Sequence, residues 1–149
     1  MTEYQIERSI EQNAITLATS VFSKINRAHK ESLTMSRRDR ELVETRQMIW
    51  AYLKENTRLT MSYMGSVFNR HHSTVIAGLR VHNKNMDVFS NGKPINPLYV
   101  SKYEEGSVIL DQALAHTREK NKSLVYRVVL YTNNTETLDK YEIVNITKV

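Results

Sequence analysis

Three residues, Asn69-Arg70-His71, separate two segments whose apolar positions recur at helical spacing, Met61 to Phe68 and His72 to Asn85. So short and polar a connection joins two helices at a sharp angle and leaves the start of the second one open to solvent. A further helix is predicted ahead of the pair. It is opened by Ser36-Arg37-Arg38-Asp39-Arg40-Glu41, carries Leu42, Met48, Ile49, Tyr52 and Leu53 on its apolar side, and ends near Asn56-Thr57. Thr60 is placed to cap the short helix, and Gly65 within it allows close approach to a neighbour. The stretch Ser36 to Asn85 therefore reads as a helix-turn-helix.

The rest of the chain is judged by how it supports that element. Thr2 and Gln5 form a capping box at the head of a long helix running to about His29, with Ile6, Ile10, Ala14, Leu17, Val21, Ile25 and Ala28 as its apolar stripe. After a loop marked by Asn91-Gly92 and Pro94, a helix is expected from about Leu98 to Lys120. Ser101 and Glu104 offer its capping box, and a bend is expected near Gly106. Leu124 to Tyr131 and Leu138 to Val149 are rich in β-branched and aromatic residues around the turn-like Thr132 to Glu136, which predicts a terminal β-hairpin. The expected fold class is mainly α: a helix-turn-helix domain with a long N-terminal helix and a C-terminal helix plus β-hairpin. The expected division is 1–32 as a support or dimerisation helix, 33–86 as the helix-turn-helix domain, and 87–149 as the helix and hairpin extension. A homodimer through the N-terminal helix or the hairpin is a possible partner arrangement, with Tyr126, Tyr131 or Tyr141 available at such an interface.

Charge becomes informative once it is located. Lys+Arg against Asp+Glu runs four to four over residues 1–32, nine to four over 33–86, and eight to eight over 87–149, so the whole net charge of +5 sits in the helix-turn-helix stretch. A basic segment between two neutral ones fits a polyanion partner, because neutralising phosphates supplies most non-specific affinity. The exposed edge Arg70, His71, His72, Ser73, Thr74 and Ala77 is short and polar, as a helix entering a major groove about 12 Å wide needs to be. Arg37, Arg38 and Arg40 gather where the macrodipole of the following helix disfavours cations, which points to an external anion as their partner.

Arg46-Gln47-Met48 and Arg70-His71-His72-Ser73-Thr74-Val75, together with the SRRDR run, Lys54-Glu55, Gly65 and Phe68, resemble the C-terminal DNA-binding domain of the bacterial chromosomal replication initiator DnaA, over about Leu33 to Lys84. The resemblance implies that Arg38 enters the minor groove. It implies that Arg37, Arg40, Arg46 and Lys54 lie along the phosphate path, and that Arg70, His71, His72, Ser73 and Thr74 present the recognition helix to the major groove. Two departures stand out: His71 replaces an aspartate of the family's pattern, and Asn69 stands where two glycines are common. A different or looser target site is the expectation.

No GxxxxGK[ST] phosphate loop occurs in the chain, so the initiator's ATPase chemistry is not expected, and the implied role is regulation of transcription or replication, as on a mobile element or phage. No cofactor is expected. The chain has no cysteine, and neither His71-His72 with His82 nor His29 with His116 has a metal-ligand spacing, so no metal is expected. Asp39, Glu41 and Glu44 read as helix-face partners for arginine rather than as a nuclease centre, and no enzyme is expected. Absence of a signal-peptide or membrane-length apolar run, together with the lack of cysteine, fits a cytoplasmic protein. The alternative is a protein-interaction adaptor that keeps the helix-turn-helix as scaffold.

Overall fold

The computed structural model describes the backbone of residues 2–133 and the side chains of residues 2–117 and 119. It consists of α1 (Glu3–Asn26), a 3-10 turn (Lys30–Thr34), α2 (Arg40–Asn56), α3 (Met61–Val67), α4 (His72–Met86) and α5 (Pro97–Asn133). The chain divides into two compact units: described residues up to Asn13 and from Asp111 on form one, and Ala14–Leu110 form the other.

In the first unit the capping box is made in both directions. Thr2 N–H donates to Gln5 Oε1 at 2.8 Å and Gln5 N–H donates to Thr2 Oγ1 at 3.2 Å, which satisfies two orphan donors of the α1 terminus. Ile6 and Leu114 are buried there, and Asn13 Nδ2 donates to Thr117 Oγ1 at 3.4 Å.

In the second unit α1 turns a different stripe inward from the one expected. Ile15, Ala18 and Phe22 are buried, whereas Leu17, Val21 and Ile25 are half-buried. The reason is the aromatic cluster that Phe22 joins. Its ring stacks on Tyr103 with centroids 5.7 Å apart and meets Tyr52 edge-on at 6.3 Å. Gly106 makes room for that ring, since a Cβ there would intrude on Phe22. The helix is not interrupted at Gly106, and α5 runs on to Asn133.

Two other expectations about α5 are corrected. Its start is capped by Asn96, whose Oδ1 accepts from Tyr99 N–H at 3.3 Å, with Pro97 in the first turn where its missing N–H costs nothing. Ser101 and Glu104 are therefore inside the helix. Leu124 to Tyr131, expected as the first hairpin strand, is helical and continues α5, so the β-hairpin is not supported. No Gly or Pro interrupts the chain between Gly106 and Asn133, so nothing local stops the helix before the β-branched run, and β-propensity is only a preference for a pleated surface that is not offered here. Leu138 to Val149, the second expected strand, and Tyr141 lie outside the described residues, as do the side chains of Tyr126 and Tyr131.

The loop before α5 is a small hairpin turn. Val88 bridges Pro94, Phe89 N–H donates to the Lys93 carbonyl at 2.7 Å, and Gly92 takes the left-handed φ of 81° that the reversal requires.

His82 is 3% exposed. It packs between the rings of Tyr99 and Tyr103, and its Nδ1 lies 2.6 Å from the Tyr99 hydroxyl. Burial pushes its pKa down to about 4. Burial first, then Glu44 and Tyr103, push the Tyr99 phenol upward, so the hydroxyl keeps its proton and donates it to a neutral imidazole. In the unfolded chain His82 binds a proton near pH 6.5, and in the folded chain only near pH 4. The stability it contributes is thus complete above pH 6.5 and is lost as the pH falls toward 4. We expect about 3 kcal/mol of stability to disappear across that window. Urea unfolding of the wild type and of His82→Gln at pH 7.5 and 4.5 checks this, and an equal pH dependence in the two proteins would refute it.

Candidate nucleic-acid interface

The turn is held from several sides. Thr60 Oγ1 accepts from Tyr63 N–H at 3.1 Å, starting α3, and the Gly65 carbonyl accepts from Phe68 N–H at 3.1 Å and Arg70 N–H at 2.8 Å, ending it. Asn69 takes φ of 56°, the left-handed conformation that asparagine tolerates better than most residues, so one asparagine serves where the family pattern commonly has two glycines. His71 is the N-cap of α4. Its Nδ1 accepts from Ser73 N–H at 3.3 Å and lies 2.8 Å from Ser73 Oγ. The imidazole thus takes the capping role open to an aspartate at this position.

His71, His72, Ser73 and Thr74 are all exposed at the start of α4, as expected from the polar edge of that segment. The two histidine rings lie 4.1 Å apart. Behind this edge Trp50 donates from Nε1 to the Met64 carbonyl at 3.3 Å and packs against Phe68, which fastens α3 to α2. Gly78 lets α4 approach the same indole, since a Cβ there would stand 2.9 Å from it. Val75 and Leu79 are buried, while Val81 is 44% exposed.

The arginines divide into three kinds. Arg37 pairs with Asp39 at 2.7 Å and Arg40 with Glu44 at 2.9 Å, so acids of the chain itself answer two of the cations for which an external anion was expected. That bond to Glu44 raises the Arg40 pKa. Arg38 is exposed, and among the described residues it has no hydrogen-bond or ion-pair partner.

Arg46 is the third kind. It is 4% exposed, and its guanidinium donates to the carbonyls of Leu33 (2.8 Å), Arg37 (3.1 Å), Ser32 (3.2 Å) and Met35 (3.0 Å). Burial first, then the charge of Arg70, lower its pKa. Such a group organises the segment beneath a surface rather than presenting charge on it. Arg70, half-buried, donates to the carbonyls of Phe68 and Asn69 and to that of Met35, which it shares with Arg46. The two arginines thereby tie the arm that carries Arg38 to the turn that precedes α4.

Arg38, Arg46, Arg70 and Thr74 line one cavity of about 300 Å³. Lys54 is exposed in the last turn of α2 and is not among its lining residues. Val43, Gln47, Trp50, Ala77, Gly78 and Val81 complete the lining, and of these the sequence marked only Ala77 as part of the exposed edge. A Gln-Met-Ile-Trp run inside an amphipathic helix reads simply as core. The one local hint was a glycine in mid-helix at 78, which favours close approach over helix propensity. Among the described residues no group of three or more His, Cys, Asp or Glu could hold a metal ion, and no helix is long and apolar enough to cross a membrane.

A three-residue turn, a capped helix with a short polar leading edge, and an arginine arm tied to that turn define a helix-turn-helix of the kind that reads nucleic acid. Residues 18–81 match the family model of the bacterial DnaA protein helix-turn-helix, a match that begins within α1 and ends within α4. The match points to DNA binding. No curated protein and no solved structure matches the chain.

Proposed function

We infer that the protein binds double-stranded DNA sequence-selectively, with the start of α4 in the major groove and Arg38 in the adjacent minor groove, and that it serves regulation of transcription or replication. The observation that carries this reading is the exposed His72-Ser73-Thr74 edge beside an arginine without a partner among the described residues. Arg37, Arg40 and Lys54 are exposed and reach phosphates; Arg46 acts from beneath, by holding the arm in shape. His71 also bears on specificity. With Nδ1 accepting from Ser73 N–H, its other nitrogen carries the proton and is a donor, whereas an aspartate offers only acceptors. A donor at this position favours guanine O6 or N7 over the amino groups of adenine or cytosine.

On a site selected from a random duplex pool, Arg38→Ala and His72→Ala should each weaken binding by about 1–3 kcal/mol, or roughly 5- to 150-fold. Lys54→Ala should weaken all duplexes alike and lower the slope of log K against log salt by about 1. Fluorescence anisotropy at several salt concentrations measures both. Unchanged affinity in all three variants would sink the reading, and failure to bind even random duplex at low salt would favour an adaptor.

A further inference from the structure

The cavity between α2, α4 and the arginine arm has a composition that phosphate contact alone does not explain. Its rim is cationic. Arg38 and Arg70 line it, with Arg46 beneath them giving its donors to four carbonyls, and neither the Arg37–Asp39 nor the Arg40–Glu44 ion pair supplies a carboxylate to any of them. Its wall is apolar: Val43, Ala77, the 44%-exposed Val81 and Trp50 line it. Its third element is Gln47, 6% exposed, whose Oε1 is buried and has no hydrogen-bond partner among the described residues. A buried acceptor left unmade costs about 1–3 kcal/mol, and the amide's terminal torsion is soft enough to turn the oxygen toward a donor in the cavity.

An anion satisfies the rim, a flat apolar body the wall, and an N–H or O–H group the amide. A volume of about 300 Å³ lies at the lower end of what small-molecule sites offer. A DNA phosphate has no donor and no apolar body, so it answers only the first of the three.

We propose that this cavity is a binding site for a small aromatic acid that also carries a hydroxyl or N–H donor, and that its occupancy competes with duplex DNA for Arg38, Arg70 and Thr74. The carboxylate lies against the Arg38 and Arg70 guanidinium groups, the ring covers Val81 and Trp50, and the donor bonds Gln47 Oε1. Competition rests on the DNA-binding reading; binding of the acid does not.

The probe is 4-hydroxybenzoate, titrated into the full chain. The readout is the indole N–H resonance of Trp50, the single tryptophan of the sequence. Expected is a saturable shift with a Kd on the order of 0.1–1 mM. Benzoate, which lacks the donor, phenol, which lacks the charge, and inorganic phosphate should each bind about 10-fold more weakly or not at all. Gln47→Leu should lose about 10-fold in affinity for 4-hydroxybenzoate while its melting temperature holds or rises, because an unsatisfied buried amide has been removed. Absence of a saturable shift overturns the proposal. So does inorganic phosphate matching the acid, which would make the cavity a seat for the DNA backbone, or undiminished affinity in Gln47→Leu. In the DNA arm, the acid should raise the apparent Kd of a labelled duplex in proportion to its occupancy, and an unchanged Kd overturns the competition. A protein that shifts with the acid but binds no duplex upholds the site and refutes the DNA reading.

Discussion

Arg46→Met should lower the free energy of unfolding by about 3 kcal/mol, although it removes a positive charge from the most basic part of the chain. The substitution keeps the apolar length of the side chain and deletes all four carbonyl bonds to Ser32, Leu33, Met35 and Arg37. Leu33 and Ser32 are buried, so their carbonyls are the expensive ones to leave unmade; those of Met35 and Arg37 recover part of the loss from water. Arg46→Lys should rescue little, since an ammonium cannot spread donors over the fan that a guanidinium spans. The effect on DNA should follow from the arm. With Met35 released from Arg46, Arg38 loses its fixed position, and specific affinity should fall more than non-specific affinity does. A residue merely neutralising a phosphate would show the opposite pattern, with normal stability and a uniform loss across duplexes. Urea denaturation together with anisotropy on specific and random duplexes separates the two outcomes.

Gly65→Ala should cost about 2–3 kcal/mol and abolish tight DNA binding, the second large effect expected. The added Cβ would lie 2.6 Å from the Arg70 carbonyl oxygen and 3.2 Å from Val75 Cγ2. The first of these neighbours is backbone, and Arg70 N–H is in turn bonded to the Gly65 carbonyl at 2.8 Å, so neither strand of the turn can retreat without breaking it. Gly92→Ala is the contrasting control. Nothing lies within 4 Å of a Cβ there, and its φ of 81° alone should cost about 1–2 kcal/mol, with no change in DNA affinity. Thermal unfolding and anisotropy on both variants check the contrast, and a Gly65→Ala protein of wild-type stability would refute the account of the turn.

Much of the helix-turn-helix was legible because its signals are local. Thr2 with Gln5, Thr60 before Met61, and the polar Asn69-Arg70-His71 turn each act within four residues, and the helices begin where those residues say. The misreadings share a different origin. Ser101 and Glu104 have the spacing of a capping box, yet Asn96-Pro97 starts the helix earlier. Leu124 to Tyr131 has strand-like residues, yet it follows a helix that nothing interrupts. On α1, a stripe through Leu17, Val21 and Ile25 has as good a period as one through Ile15, Ala18 and Phe22. Only the rings of Tyr52 and Tyr103 decide between them.

By itself, the sequence determined the order of the helices that make the reader, the Thr60 cap of α3, their place in the basic segment, and the exposure of His71, His72, Ser73 and Thr74 at the start of α4. These rest on interactions between neighbours in the chain, and residue type and spacing specify them. Only the tertiary structure decided what each arginine is for. Arg38 and Arg46 look alike in a basic run, but one stands without a partner among the described residues while the other is buried against carbonyls up to 14 residues away. Charge is a property of the residue; whether it meets a carbonyl, a carboxylate or open solvent is a property of the packing around it.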